Sequence, residues 1–289
     1  MTDKPAFGTI LLTGAAGKLG SVLREPLAAL CSTLRLSDLR PLTQACSAKE
    51  EFIACDLAQT AEVQALMQGV ELLVHFGGVA HEQAFERIAA ANLIGLYNLY
   101  DAALTHGVRR VVFASSNHVN GFSRIDEATT PASPPRPDSL YGVSKVYGEA
   151  LARYYFDRHG IETVCLRIGS CLPEPKSPRC LQAWLSHRDL IELVRCAATA
   201  PQAGFAVVWG ISDNQQACWQ GDDAERIGYQ PQDCAEPWRE QVERARPEML
   251  SDPRMRFQGG SIVSRDYRKP ATLFPHPAPA LPAWDDSKD

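Results

Sequence analysis

A short apolar run, Gly8-Thr-Ile-Leu-Leu-Thr13, passes without a break into Gly14-Ala-Ala-Gly17-Lys-Leu-Gly20 and then into a stretch from Val22 to Leu30 with helical periodicity. A strand, a glycine turn and a helix in that order leave a chain few folds to choose from. Glycines at this spacing allow a tight turn and let the backbone approach a pyrophosphate, and the following helix aims its first N–H groups at the anion. The spacing differs by one residue from the commoner dinucleotide fingerprint, and glycines that only close the turn would read the same way.

The alternation then repeats. Strands are expected at residues 33–37, 51–55, 70–76, 109–114 and 162–168, separated by a helix capped at Thr60, a long helix over 85–105 and another over 141–158 that His159-Gly160 should stop. This pattern predicts an α/β chain: a Rossmann-type doubly wound parallel sheet, right-handed in its crossovers, with helices on both faces. Glycine and prolines in 169–175 should end regular structure. Beyond them the pattern loosens into a helix at 188–200, a strand at 205–209 and short helices near 222–227 and 235–246. These are expected to form a small C-terminal substrate lobe. The expected organisation is residues 1–170 for the cofactor and the catalytic helix, 171–266 for the lobe, in one compact unit with the first, and 267–289 as a proline-rich tail, poorly ordered or draped on the surface. Four prolines between Asp126 and Pro137 mark a flap.

Composition narrows the function. With 289 residues and 45% hydrophobic content the chain can bury a sizeable core. A net charge of -5 and the lack of a long basic run argue against nucleic acid as a partner and for a small-molecule ligand. No apolar run approaches the ~20 residues that span a bilayer, and nothing at the N-terminus reads as a signal peptide, so the expected location is cytoplasmic and away from membranes. Nine cysteines without a C-x-x-C pair suggest free thiols and no metal site.

The chemistry centres on Leu140-Tyr141-Gly142-Val143-Ser144-Lys145. Residues four apart share a helix face, so Tyr141 and Lys145 can meet. A nearby ammonium favours the phenolate, which makes Tyr141 a plausible proton acceptor. The same helix should bury Val146, Ala150, Leu151, Tyr154 and Tyr155. Ser116 stands at the C-terminal end of the fifth strand, where ligands gather in open parallel sheets, and could polarise a substrate oxygen. Asp38 lies 18 residues past Gly20, near the usual gap of about 20, where a carboxylate binds the ribose and selects NAD over NADP; Arg40 pulls the other way. Asp56 suits either the adenine edge or a helix start, Gly77-Gly78 would let the chain pass close to a cofactor, and His75 reads as a core histidine.

Taken together, Gly14-x-x-Gly17-x-x-Gly20, Asp38, Ser116 and Tyr141-x-x-x-Lys145 resemble the extended short-chain dehydrogenase/reductase superfamily. Within it the chain looks like a uronate dehydrogenase, through Phe113-Ala-Ser-Ser-Asn-His118, Arg167-Ile-Gly-Ser-Cys171 with Pro173-Glu-Pro175, Ser186-His187, Val207-Val-Trp-Gly210 and Arg256-Phe-Gln-Gly-Gly260. The likeness covers roughly residues 8–264. It implies that Gly14, Gly17, Lys18, Leu19, Gly20, Asp38, Asp56, Leu57, Gly77, Gly78 and Asn92 face NAD together with Tyr141 and Lys145. It further implies that Tyr141 is the proton acceptor, Lys145 its helper on the nicotinamide ribose, and Ser116 the third catalytic group. Ser116, Asn117, His118, Ser170 and Arg179 would contact the sugar, with Arg179 forking onto a uronate carboxylate. Ala80 departs from the resemblance, since a serine is expected after Gly77-Gly78. The implied activity is NAD-dependent oxidation of the C1 hydroxyl of galacturonate or glucuronate to the aldarolactone. Apart from the resemblance, the helices around 86–105 and 141–158 could pair across a two-fold axis as a four-helix seam, so a homo-oligomer is expected. The competing readings are an NAD-dependent nucleotide-sugar epimerase or dehydratase, and a non-catalytic NAD-binding regulator.

Overall fold

The computed structural model describes residues 5–264, so the tail expected from 267 onward lies outside the described residues. Its centre is a sheet in the order β3-β2-β1-β4-β5-β6-β9. These strands are β1 (Phe7–Thr13), β2 (Cys31–Asp38), β3 (Glu50–Ala54), β4 (Leu72–His75), β5 (Arg110–Ser116), β6 (Glu162–Ile168) and β9 (Phe205–Gly210). Every neighbouring pair is parallel. The central strands are buried on both faces, which is why β4 reads as an unbroken apolar run that ends in a histidine.

Helices cover both faces as the alternation requires. One face packs α1 (Lys18–Ala28), α7 (His187–Thr199) and α8 (Ala224–Ile227) through Leu23, Leu27, Leu190, Leu193 and Ile227. The other packs α2 (Thr60–Leu66), α4 (Gly95–Thr105) and α5 (Leu140–His159) through Val63, Leu66, Leu99, Ala152 and Tyr155. Each such fully buried leucine or valine contributes about 1.5–3 kcal/mol relative to exposure. A two-stranded sheet of β7 (Ser170–Cys171) and β8 (Trp184–Leu185) brackets α6 (Cys180–Ala183), and α9 (Arg239–Ala245) follows α8.

Several expectations need correcting. The helix after the glycine turn begins at Lys18, four residues before Val22, and ends at Ala28. Thr60 is the first residue of α2, not its cap; Gln59 precedes it without a side-chain cap, and the Thr60 hydroxyl donates to Asn98 Oδ1 at 3.2 Å. Residues 205–210 do not join a lobe: β9 pairs along β6 as the edge strand of the main sheet, and α7 lies on that sheet, so a boundary at 170 cuts through one layer. The 169–175 stretch was expected to be irregular, yet Ser170–Cys171 pair with Trp184–Leu185. The long helix over 85–105 is interrupted: α3 (Phe85–Ile88) and α4 are joined by a π turn, Ala89–Ile94. Such turns recur where a side chain must be re-aimed, and the one re-aimed here is Asn92.

The buried face of α5 is also not the expected one. It carries Tyr141, Ser144, Lys145, Gly148, Glu149 and Ala152 with Tyr155, whereas Ala150 and Tyr154 are exposed. The helix lies so close to the sheet that a Cβ at Gly148 would come within 2.5 Å of the Phe113 ring. Small and polar residues therefore face inward, and apolar ones face out. Ser139 caps its N-terminus by accepting from Gly142 N at 2.9 Å, and Gly160, at φ 73°, ends it as expected.

Candidate active site

Both halves of the site sit at the C-terminal ends of the parallel strands. On the cofactor side, Gly14 adopts φ +75°, and a Cβ there would strike the Phe76 carbonyl oxygen at 2.4 Å. A Cβ at Gly20 would lie 2.1 Å from the Gly14 carbonyl oxygen, so the turn closes only on glycine. Helix α1 starts at Gly17 with no side-chain cap and no acidic residue in its first turn, which leaves the N–H groups of Lys18 and Leu19 to an outside anion. Asp38, at the end of β2, points one carboxylate oxygen at Ala16 N (3.1 Å) and the other at Arg40 N (3.0 Å). An uncapped helix start, a glycine cradle and a held carboxylate fit a dinucleotide with an unphosphorylated ribose.

Three members of the expected cofactor set, Asp56, Leu57 and Asn92, have protein partners of their own. The Asp56 carboxylate turns into the start of α2, accepting from Ala58 N at 3.0 Å. Gly78, at φ +114°, is glycine because a Cβ would meet Asn92 Oδ1 at 2.6 Å. Asn92 binds the backbone of Val79 in both directions, accepting from its N at 2.8 Å and donating to its O at 2.9 Å, and also donates to Ser144 Oγ at 2.9 Å. It thus fastens the Gly77-Gly78 turn to α5. Leu57 packs against Gly95 and accepts from Asn98 Nδ2 at 2.8 Å. His75 is the core histidine expected: buried, 2.7 Å from Thr13 Oγ1, stacked on Phe113, and held neutral because burial pushes its pKa down to about 3.

Tyr141 and Lys145 do come together, since the ammonium lies 5.6 Å from the phenol ring centroid. The expected pKa effect is not met. Burial pushes the Tyr141 phenol up to about 12, the Ser116 hydroxyl that faces it works against the rise, and the charge of Asp138 adds to it. Lys145 donates to the Ala114 carbonyl oxygen at 2.7 Å, and its own burial lowers it to about 8. In the free chain the ammonium is engaged by the sheet, and the phenol keeps its proton at neutral pH.

On the opposite side, Ser116 accepts from His118 N at 3.2 Å. His118 packs edge-on to the Tyr141 ring and pairs through Nδ1 with Asp138 at 2.8 Å. Ser170 and Arg179, nine residues apart, are brought together by the small sheet, with Arg179 Nη1 donating to Ser170 Oγ at 2.8 Å. Arg179 also donates to the Gln258 carbonyl, as does Asn117 Nδ2 at 3.1 Å. Arg179 is half-buried, burial lowers its pKa, and it forms no ion pair among the described residues. Ala80 is exposed on the loop after the glycine turn.

Sequence reasoning missed the residues beneath this arrangement. Glu149 and Arg167 form a buried two-point ion pair (2.9 and 2.8 Å), extended by Ser115 on Glu149 (2.6 Å) and Asn120 on Arg167 (3.0 Å). Asp138 was missed as well, and Gln258 entered only inside the Arg256-Phe-Gln-Gly-Gly260 run, with no role of its own. An acidic residue in the apolar half of an amphipathic helix was the one available signal, for Glu149; contacts between residues 20 to 141 apart, such as His118 with Asp138 and Asn117 with Gln258, leave none.

Comparison with known proteins agrees with this geometry. Residues 10–178 match the model of the NAD dependent epimerase/dehydratase family. The uronate dehydrogenase of Pseudomonas putida is 48% identical over 91% of this chain and 98% of its own. The chain belongs to the uronate dehydrogenases. In three dimensions the crystal structure of uronate dehydrogenase from Agrobacterium tumefaciens superposes with a TM-score of 0.87 at 46% identity, covering 91% of this chain and 98% of that one. A mutant of the same enzyme, solved in complex with NAD, superposes with the same TM-score and covers 99% of its chain. NAD is accordingly the cofactor of this chain. No helix among the described residues is long and apolar enough to cross a membrane.

Proposed function

We propose that this chain oxidises the C1 hydroxyl of a cyclic hexuronate, D-galacturonate, D-glucuronate or both, to the aldarolactone, with NAD as the acceptor. The observation that carries this reading is Arg179. A half-buried guanidinium without a carboxylate partner among the described residues, tied to Ser170 and set across the site from Tyr141, suits the carboxylate of an acidic sugar.

The turn at Gly14, Gly17 and Gly20 with Lys18 and Leu19 would hold the NAD pyrophosphate, Asp38 the adenosine ribose, and Lys145 the nicotinamide ribose, with Asp56, Leu57, Gly77, Gly78 and Asn92 shaping the rest of the groove. When bound, oxidised NAD supplies the hydride acceptor and a positive charge that favours the phenolate. Tyr141 takes the proton of the C1 hydroxyl, and Ser116 donates to the same oxygen and steadies the charge that builds there. Because the free phenol is protonated at neutral pH, Tyr141 must first release that proton. Lys145, still largely charged below about 8, is the group on this chain that favours the release. His118 and Asn117 hold sugar hydroxyls, and Arg179 with Ser170 holds the carboxylate, so that C1 is fixed in one orientation.

Nine free thiols among the described residues suit the reducing cytoplasm. Ile94, Tyr97 and Leu104 beside Val143 and Tyr154 leave α4 and α5 with an exposed apolar face that suits a second copy of the chain in a four-helix seam; a single-chain mass in solution would refute that pairing.

The decisive assay follows NADH absorbance over galacturonate, glucuronate, galactose and glucose. NADH should form with the uronates and far less with the neutral sugars. A chain that yields no net NADH but interconverts nucleotide sugars would be an epimerase, and the proposal would fall.

A further inference from the structure

Arg179 and Asn117, both placed against the sugar above, converge on one main-chain oxygen. The Gln258 carbonyl accepts from Arg179 Nε at 3.1 Å, from Arg179 Nη2 at 2.9 Å and from Asn117 Nδ2 at 3.1 Å. Gln258 is 1% exposed. Its side chain holds that carbonyl still: Nε2 donates to Thr129 Oγ1 at 2.7 Å and to the Arg124 carbonyl at 3.2 Å, and Oε1 accepts from Trp219 Nε1 at 2.9 Å. Every polar atom of a buried carboxamide is thus satisfied, from the 124–129 loop and from Trp219, and such a group fixes a unique position.

The next two residues continue the same wall. A Cβ at Gly259 would lie 1.7 Å from Asp138 Oδ2, the oxygen that His118 faces. A Cβ at Gly260, at φ +56°, would lie 2.5 Å from Arg179 Cδ. Residues 258–260 are therefore moulded onto Asp138, the partner of His118, and onto Arg179.

We propose that Gln258 is a positioning residue that sets the preference for acidic sugars. Its carbonyl occupies the Nε–Nη2 edge of the Arg179 guanidinium and leaves the Nη1–Nη2 end, with Ser170 on Nη1, for a carboxylate. The same carbonyl fixes Asn117 beside it, so the fork and the amide keep one spacing. A guanidinium free to rotate would still attract an anion but would lose the two-point geometry that separates a carboxylate from a hydroxymethyl group. This rests on the reading of Arg179 given above.

The test compares wild type with Gln258→Leu and Trp219→Phe at saturating NAD, measuring kcat and KM for glucuronate and for glucose, with galacturonate and galactose as a second pair. Gln258→Leu removes all three side-chain anchors at similar volume. Trp219→Phe removes a single donor and carries the test if the first variant does not fold. The expected result is a uronate KM raised roughly tenfold or more in Gln258→Leu and less in Trp219→Phe, with kcat largely kept and a clearly smaller rise in the neutral-sugar KM through Asn117, so that the preference for the uronate falls. Parallel losses on acidic and neutral sugars would assign Gln258 to the fold alone and overturn the proposal. An unchanged preference in both variants would also overturn it. A wild-type chain that does not prefer the uronate would instead overturn the underlying reading of Arg179.

Discussion

The two sides of the site are built in different ways. The cofactor side is made largely of backbone: Gly14 directly follows β1, Gly20 lies in the first turn of α1 and Gly78 in the turn after β4, and a Cβ at each would strike neighbouring atoms. The sugar side is made of side chains drawn from distant stretches, with Asn117, Arg179 and Gln258 tied by hydrogen bonds that span 141 and 79 residues. A groove of backbone turns recognises what all dinucleotides share. Side chains on loops can be exchanged without disturbing the sheet, so in the proposed function they carry the choice of sugar. The difference predicts that damage to one side should leave the other measurable.

A change beneath both sides should spare neither. Arg167→Met leaves Glu149 buried without its partner and should cost about 3–5 kcal/mol of stability in urea titrations, with sugar and NAD binding weakened together. Arg179→Leu should act on one side alone: kcat/KM for the uronate falls by about 2–5 kcal/mol, roughly 30- to 5,000-fold, while the NAD dissociation constant holds. Gly20→Ala is its mirror image. The added Cβ meets backbone that cannot yield, so NAD affinity measured by fluorescence titration should drop by about 1–3 kcal/mol while the sugar KM at saturating NAD holds. Loss of sugar affinity of equal size in that variant would erase the distinction.

Lys145 belongs to both sides, and its signature is a pH dependence. Folding lowers its pKa from 10.5 to about 8, so between those values the unfolded chain binds a proton that the folded chain does not. Its contribution to stability therefore rises with pH across that window, and the full penalty is present below about 8. Lys145→Met should be more stable than wild type at pH 7 by roughly 1–3 kcal/mol, with the gap closing toward pH 10.5, while turnover is lost. Denaturation at both pH values checks it; a gap that widens with pH would contradict the cause assigned.

The same contrast explains what could be read in advance. Strand, glycine turn and helix are local, so the sheet and the groove at Gly14, Asp38 and Gly77 were legible from spacing. Residues 205–210 were misplaced because a short apolar strand carries no mark of which sheet it will join, and here β6 was the available edge. The outward turn of Tyr154 was misjudged because periodicity reports an apolar face without saying whether the core or another surface covers it. Arg179 and Ser170 could be paired only through family resemblance, Gln258 was visible only as part of the Arg256-Phe-Gln-Gly-Gly260 run, and the partners of Asp138 and Glu149, on other elements 20 and 18 residues away, follow from no local spacing. The phenol pKa was misread because helix spacing brings Lys145 near Tyr141 but does not report how deeply the ring is buried.

Proton abstraction by Tyr141 is the step on which the proposed chemistry turns, and Tyr141→Phe tests it with the smallest change to the site. Turnover of glucuronate and galacturonate at saturating NAD should fall by roughly 10² to 10⁴-fold, with NAD affinity and thermal stability close to wild type. A variant that turns over either uronate at near wild-type rate would contradict the assignment.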